Sequence, residues 1–357
     1  MSIIFQHVPT SRRDLITVQE LGEVCPIWKD ISQETPALWT FFYLSFPLNE
    51  KYPELRLIQA YHWLLRSKAL PCELEIDTTL SLIPSRLYKS HFRPLLASVS
   101  RRLTWFWFCG HVEDFEDLFQ NLPHSFPELR SLSLVPRRFG SPLNIYPRAF
   151  RDSKFLKELT VSGRLFESTE VVKEVLSVKR LTALVLEGHG LLPGLAYTLF
   201  CTATNLVRCT ISVKHFGGEE ILAPAPISNI SHRHLQELTL GYLSTDFAWL
   251  IRHFKFPALT KLNMKGDPKI ERTLINSSVS GVLLELHRRD PFPLEVLELK
   301  DVNLDVQEFV TFLKRVPMLA ELRVLGVNDS FYLQNRIRGL SSGALPILSE
   351  LKVATIC

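Results

Sequence analysis

The 357-residue sequence predicts an α/β solenoid, with short parallel strands on a concave face and helices on a convex face. Three observations predict it. One short apolar signature recurs from residue 103 to the last residues. Between its copies, apolar residues fall at helical spacing with charged residues opposite. The chain is also long and 46% apolar, more than one simple core usually supports, which favours one extended or two compact domains.

The strand element is the signature L-x-x-L-x-L, in which Phe, Val, Ile, Met or Cys sometimes replaces a leucine. Ten copies begin at Leu103, Leu129, Leu156, Leu181, Leu206, Leu235, Leu259, Leu294, Leu319 and Leu348. Successive starts differ by 26, 27, 25, 25, 29, 24, 35, 25 and 29 residues, mostly inside the 20 to 29 of leucine-rich repeats. The fourth and sixth positions of each copy point inward, so stacking neighbours side by side makes one continuous core. A doubly wound α/β domain would also alternate strands and helices, but it would not repeat one strand signature ten times.

The helical element follows each strand. Val112, Phe115, Leu118, Phe119 and Leu122 lie at helical spacing, with Glu113, Asp114, Glu116 and Asp117 assigned to the solvated side. Similar patterns occur at Val171, Val172, Val175 and Leu176, and at Val306, Phe309, Val310, Phe312, Leu313 and Val316. The long step after Leu259 carries extra residues around Asp267 to Ser280, expected as a surface loop or helix in an irregular solenoid.

The first hundred residues carry a different pattern. Residues 21–42, LGEVCPIWKDISQETPALWTFF, hold Val24, Cys25, Trp28, Asp30, Pro36, Leu38 and Trp39 in an order that resembles the second half of F-box and F-box-like domains. Residues 61–76, YHWLLRSKALPCELEI, resemble the segment joining the F-box to the first repeat in fungal-type F-box leucine-rich-repeat proteins, through Trp63, Leu64, Arg66, Ser67, Pro71, Leu74 and Ile76. Only Ile3, Ile4 and Phe5 match the opening helix of that domain, and they match its end, so the resemblance implies an F-box whose start is truncated. The resemblance implies a partial F-box-like helical segment over 1–45, a linker and N-terminal cap over 46–98, and the solenoid over 99–357. It further implies a substrate-recognition subunit of an SCF-type ubiquitin ligase, with a Skp-type adaptor and cullin as partners. Ile4, Phe5, Val24, Cys25 and Trp28 would form the adaptor side, and the solenoid would hold a target protein. The alternative is a repeat scaffold without linkage to ubiquitin. Packing within a small helical bundle is the other role open to Cys25, Trp28 and Trp39.

Charge and motifs exclude several classes. The 41 basic and 37 acidic residues leave a net charge of +4, too little clustering for a nucleic-acid face. The six cysteines are scattered without a CxxC pair and read as reduced core thiols. No apolar run reaches membrane-spanning length, and Arg12, Arg13 and Asp14 interrupt the place of a signal peptide, so a cytoplasmic or nuclear location is expected. Gly188-His189-Gly190 and Gly217-Gly218 lack phosphate-loop spacing and read as turns. His232 and His234 read as surface histidines, no metal or cofactor is implied, and no catalytic constellation emerges. The protein is expected to bind another protein rather than to catalyse.

The third, fifth and seventh positions of each strand point away from the core. They form an outward ladder of Ser131, Glu158, Arg208, Glu237, Lys261, Asn263, Lys265, Glu298, Lys300, Arg323 and Lys352. This predicts a polar protein or degron-bearing peptide partner, with Arg208, Lys261 and Lys265 as a basic centre. The first strand, Leu103 to Cys109, is apolar on both faces, so something should cover Trp105 and Trp107. The expected cover is the segment from Phe41 to Leu70 folding back as a cap; the alternative is a partner that uses the indoles as anchors. Four residues follow the last strand, whose edge is expected to exchange its amide hydrogens early.

Overall fold

The computed structural model describes residues 20, 22–46, 51–79, 85–119, 125–136, 148–163, 178–189, 193–214, 230–241, 254–266, 278–326, 330–341 and 345–354. The chain divides into two compact units, Met1–Val178 and Lys179–Cys357.

The first unit is built on five parallel strands, hydrogen-bonded in chain order: β1 (Phe41–Ser45), β2 (Cys72–Asp77), β3 (Leu103–Gly110), β4 (Ser131–Pro136) and β5 (Glu158–Ser162). Inward columns run across it: Phe42, Leu74, Phe106, Leu132 and Leu159 in one, and Leu44, Ile76, Phe108, Leu134 and Val161 in the next. These are the fourth and sixth positions of the signature, and all but the half-buried Phe42 are buried.

The ladder therefore starts at Phe41 and not at residue 99. Residues 46–98, expected as linker and cap, contain β2 and two helical stretches, Pro53–Arg66 and the run through Tyr88–Phe92 and Arg93–Val99. The signature missed β2 because Pro71 stands where its leading leucine would be. A register shift at Cys72/Glu73 instead sets the buried Cys72 opposite Leu103. Glu73, Glu75 and Asp77 alternate with the inward Leu74 and Ile76, which is strand patterning without the leucine count. Nor, among its described residues, does Phe41–Leu70 lie over β3 as a cap. Phe41–Ser45 widens the sheet sideways, and the Pro53–Arg66 helix packs beside β1 and the Arg93–Val99 helix through Leu57, Ala60, Trp63 and Leu64.

The second unit has seven main parallel strands: β6 (Ala183–His189), β7 (Arg208–Lys214), β9 (Glu237–Gly241), β11 (Lys261–Lys265), β12 (Val296–Lys300), β13 (Glu321–Leu325) and β14 (Glu350–Ala354). A short second sheet pairs β8 (Ile230–Ser231) with β10 (Phe254–Lys255). Gly188 and His189 prolong β6 rather than forming a turn. Helices Pro193–Thr202, Val279–Arg289, Val306–Leu313 and Ser330–Ser341 connect the strands. Ser278 and Asp305 cap two of them, accepting from the Ser280 and Glu308 N–H groups at 3.1 and 2.8 Å. The outer-helix pattern at 171–176 and most of the 267–280 insertion lie outside the described residues.

Several strands are entered the same way. The N–H of the leading leucine donates to the carbonyl three residues earlier, as in Leu129 to Phe126, Leu156 to Ser153, Leu206 to Ala203, Leu235 to His232, Leu259 to Phe256 and Leu319 to Val316. The residue at that earlier position is buried in every one of these repeats. Strand exits in the second unit meet tightly. A Cβ on Gly266 would lie 1.9 Å from the Asp301 carbonyl oxygen, and Gly326, at φ +71°, leaves no room beside the Asp301 carboxylate.

Candidate protein-binding surface

Because inward columns alternate with outward ones, the register defines the outward face residue by residue. In the first unit the outward rows are Phe41, Glu73, Trp105, Ser131 and Glu158, then Tyr43, Glu75, Trp107, Ser133 and Thr160. Trp105 and Trp107 are half-buried. The ring of Trp105 lies 6.3 Å from that of Phe41, a member of the expected cap. Glu73 is exposed, and partial burial holds its carboxyl above the usual range.

In the second unit one outward row reads Ala183, Arg208, Glu237, Lys261, Val296, Glu321 and Glu350. The next reads Val185, Thr210, Thr239, Asn263, Glu298, Arg323 and Lys352. The register thus sets Glu237 between Arg208 and Lys261, so the three cations of the expected basic centre are not contiguous. Lys265 instead stands beside Lys300. Among the described residues neither of these two lysines forms an ion pair. The Asn263 amide donates to the Thr239 hydroxyl at 3.3 Å. Arg323 is held by Glu321 of its own strand at 2.6 Å and by Glu350 of the next strand at 3.2 Å, so its guanidinium sits between two carboxylates. Its charge is already matched, unlike that of Lys265.

The adaptor-side residues divide. Ile4 and Phe5 lie outside the described residues. Cys25 precedes the Pro26–Glu34 helix, which begins at a proline whose fixed φ suits a first turn. Trp28 and Ile31 on that helix, together with Phe42, pack against a cluster of Leu38, Trp39 and Trp63. The Trp39 indole donates to the Ser32 carbonyl at 2.7 Å and the Trp63 indole to the Phe41 carbonyl at 3.0 Å. Arg102 ties the same region down by donating to the Ser67 hydroxyl and, at 2.6 Å, to the Leu64 carbonyl. Val24 and Ile27 remain 63% and 61% exposed. On the Pro53–Arg66 helix, Leu55, Ile58, Tyr61 and Leu65 are exposed too, at spacings of three and four that place them on one side.

Two expectations about polar residues are corrected. Asp114 is buried rather than solvated. It accepts from the Thr78 hydroxyl at 2.7 Å and from the His111 N–H at 3.0 Å, and it faces the Tyr88 phenol. Burial raises its pKa, and those hydrogen bonds oppose the rise. The acidic stripe concealed this because a helix's first turn needs an acceptor for its free N–H groups, a demand that helical periodicity does not register.

His232 is fully buried, with its ring 4.2 Å from Phe200, while His234 is exposed. Its signal was its place three residues before Leu235, the buried entry position of the repeat. Burial lowers its pKa to about 4. Cys72, Cys109 and Cys209 are buried and form no disulfide among the described residues, and burial pushes the Cys72 thiol up to about 11. Among the described residues, no group of His, Cys, Asp or Glu is arranged to hold a metal ion, and no helix is long and apolar enough to cross a membrane.

The strand ladder and its periodic leucines decide the architecture. The chain folds as leucine-rich-repeat-like strand–helix units. No family model and no curated protein matches it. Among solved structures it is similar to a leucine-rich-repeat protein of Leptospira interrogans, at 14% identity and a TM-score of 0.29, over 81% of this chain and 74% of that one.

Proposed function

We propose that this chain is an F-box-like substrate receptor: its N-terminal helices engage a Skp-type adaptor and, through it, a cullin, while the outward sheet face holds a target protein. The chain itself performs no catalysis in this reading, and the ligase chemistry resides in its partners. The observation that carries it is the exposure of large apolar side chains near the N-terminus: Val24 before the Pro26–Glu34 helix, Ile27 on it, and Leu55, Ile58 and Leu65 on the Pro53–Arg66 helix. Water-facing apolar side chains gathered in this way favour association with another protein. The resemblance of residues 21–42 and 61–76 to F-box proteins names the partner class.

A second reading is a repeat scaffold with no link to ubiquitin. It is favoured by the burial of Trp39 and Trp63, whose indoles hydrogen-bond to backbone carbonyls and thereby close the N-terminal edge of the core. Co-purification with a Skp-type adaptor separates the two. Capture by the wild type and loss in a Val24→Glu, Ile27→Glu variant with unchanged melting supports the receptor. Absence of capture by the folded wild type leaves the scaffold.

A further inference from the structure

The turns that lead into β11 to β14 of the second unit stand side by side. The ladder sets Leu259, Leu294, Leu319 and Leu348 two residues ahead of the paired Lys261, Val296, Glu321 and Glu350. Exposed turns are normally built from Gly, Asn, Asp, Ser and Pro. The earlier entry turns of this unit are polar, with Lys179-Arg180, Thr204-Asn205 and Arg233-His234 exposed just before Leu181, Leu206 and Leu235. The later ones are apolar. In 256–259, 316–319 and 345–348 the leucine N–H donates to the carbonyl three residues earlier, and Pro257, Pro317 and Pro346 take the second position, which their fixed φ suits. The turn before β12 exposes Pro291 and Pro293. Met318 and Ile347, at the third position of neighbouring turns, are 49% and 47% exposed. Neither gains from facing water, and apolar side chains gathered against the local turn chemistry mark a surface made for contact.

We propose that this strand-entry edge, from Pro257 to Ile347, docks an amphipathic helix of a partner protein whose apolar stripe is flanked by acidic residues. It is a surface additional to the outward sheet face and to the N-terminal helices, and it depends on neither. Spacing selects a helix. Neighbouring turns are about 4.8 Å apart, so the four span about 14 Å. Three turns of a helix rise about 16 Å and offer one apolar side chain per step, whereas alternate side chains of an extended strand cover about 20 Å in the same three steps. The prolines hold the turns rigid, so little ordering opposes docking. Charge selects the flank. Arg288, Lys314 and Arg315 are exposed at the C-terminal ends of the Val279–Arg289 and Val306–Leu313 helices, and they make no ion pair among the described residues. Arg288 stands three residues ahead of Pro291 and Arg315 two ahead of Pro317, which puts unmatched positive charge along the helix side of the strip. An anionic bilayer suits it less well, because the strip is one turn wide and the exposed Glu295 adjoins its sheet side.

The test uses the full chain and two fluorescein-labelled helical peptides of about eighteen residues, each with leucine at every third or fourth position, followed by anisotropy. One peptide carries Glu beside the leucines and the other Lys. The Glu peptide should bind and weaken as salt rises, and the Lys peptide should bind about tenfold more weakly or worse. Because both side chains are exposed, Met318→Ser, Ile347→Ser should melt like the wild type and lose about tenfold or more in affinity. Lys314→Glu, Arg315→Glu leaves the apolar turns intact and should lose about threefold to thirtyfold. Phe155→Ser, at the equivalent turn position of the first unit, should leave affinity unchanged. No binding of the Glu peptide, equal binding of both peptides, or unaltered affinity in Met318→Ser, Ile347→Ser would overturn the proposal. So would capture of the wild type, but not of that variant, by phosphatidylcholine–phosphatidylserine vesicles, which would assign the strip to a membrane. A dimer of the chain that dissociates in the same variant would overturn it too, by making a second copy the occupant. Adaptor co-purification is a separate readout, so failure here and failure of the receptor reading are distinguishable.

Discussion

Replacing His232 with phenylalanine tests how the repeat core treats an ionisable ring. His232 has no exposed surface and lies 4.2, 5.6 and 6.1 Å from the rings of Phe200, Phe254 and Phe256. Neither of its ring nitrogens has a hydrogen-bond partner among the described residues. Protonation would place a charge in that apolar stack, which is why its pKa falls from 6.5 to about 4. Above pH 6.5 the ring is neutral in both the folded and the unfolded chain, and stability does not depend on it. Between pH 6.5 and about 4 the unfolded chain takes up the proton and the folded chain does not, so stability falls as pH falls. A depression of this size corresponds to about 3 kcal/mol.

Phenylalanine removes the titration and suits the site, since Phe126 and Phe256 fill the same entry position in other repeats. Its extra bulk adds a pH-independent cost of about 1–3 kcal/mol, offset by the unpaired nitrogens it removes. The informative quantity is therefore the change with pH. Urea unfolding followed by circular dichroism at pH 7.5, 6.0, 5.0 and 4.0 should show the variant gaining about 3 kcal/mol on the wild type across the range. Parallel loss in both proteins would refute the reasoning and show that His232 is hydrated or paired in the folded chain.

Other perturbations reach the remaining features. Asp114→Asn keeps an acceptor for Thr78 and the His111 N–H but cannot ionise. Because the folded carboxyl titrates above its ordinary value, the wild type should gain stability as pH falls through that raised value, and this gain should be absent in the variant's melting curves. Gly326→Ala forces a side chain into φ +71° beside the Asp301 carboxylate and should cost about 1–3 kcal/mol in chemical denaturation; an unchanged midpoint would contradict the tight exit turn. Lys265→Glu places a carboxylate beside Lys300 in place of a second cation and should raise stability by about 0.2–1 kcal/mol. Affinity lost in a Lys261→Glu, Lys265→Glu variant would then report on partner contact rather than unfolding. Leu351 and Val353 on β14 are half-buried where Leu322 and Val324 on β13 are fully buried, so hydrogen exchange should be faster along β14.

The repeated leucines were enough to read the strands from Leu103 onward, because a side chain that must point inward at every second position leaves a period that composition cannot hide. They predicted which residues face out, Trp105 and Lys265 alike, and the helical spacing of the apolar residues between them gave Val306–Leu313 its helix. They could not show β1 and β2, where Phe42, Leu44, Cys72, Leu74 and Ile76 do the inward work without the leucine signature. Alternation was present there, but a single short run does not distinguish a strand from a linker until a neighbour pairs with it.

The sites divide along the same line. Single residues on the outward face were legible, because orientation follows from position in the strand. Their neighbours were not, because register across strands is a tertiary property: it set Glu237 between Arg208 and Lys261, brought Glu350 to Arg323, and laid an acidic strand between two aromatic ones. The same holds for Asp114 and His232, whose polarity argued for solvent while a helix's unpaired N–H groups and a repeat's entry turn drew them inside. The sequence by itself determined the repeating strand–helix unit and the direction each strand residue faces, since both follow from backbone periodicity. Only the tertiary structure decided which side chains stand next to one another, since that depends on pairings between segments separated by 24 to 35 residues in the chain.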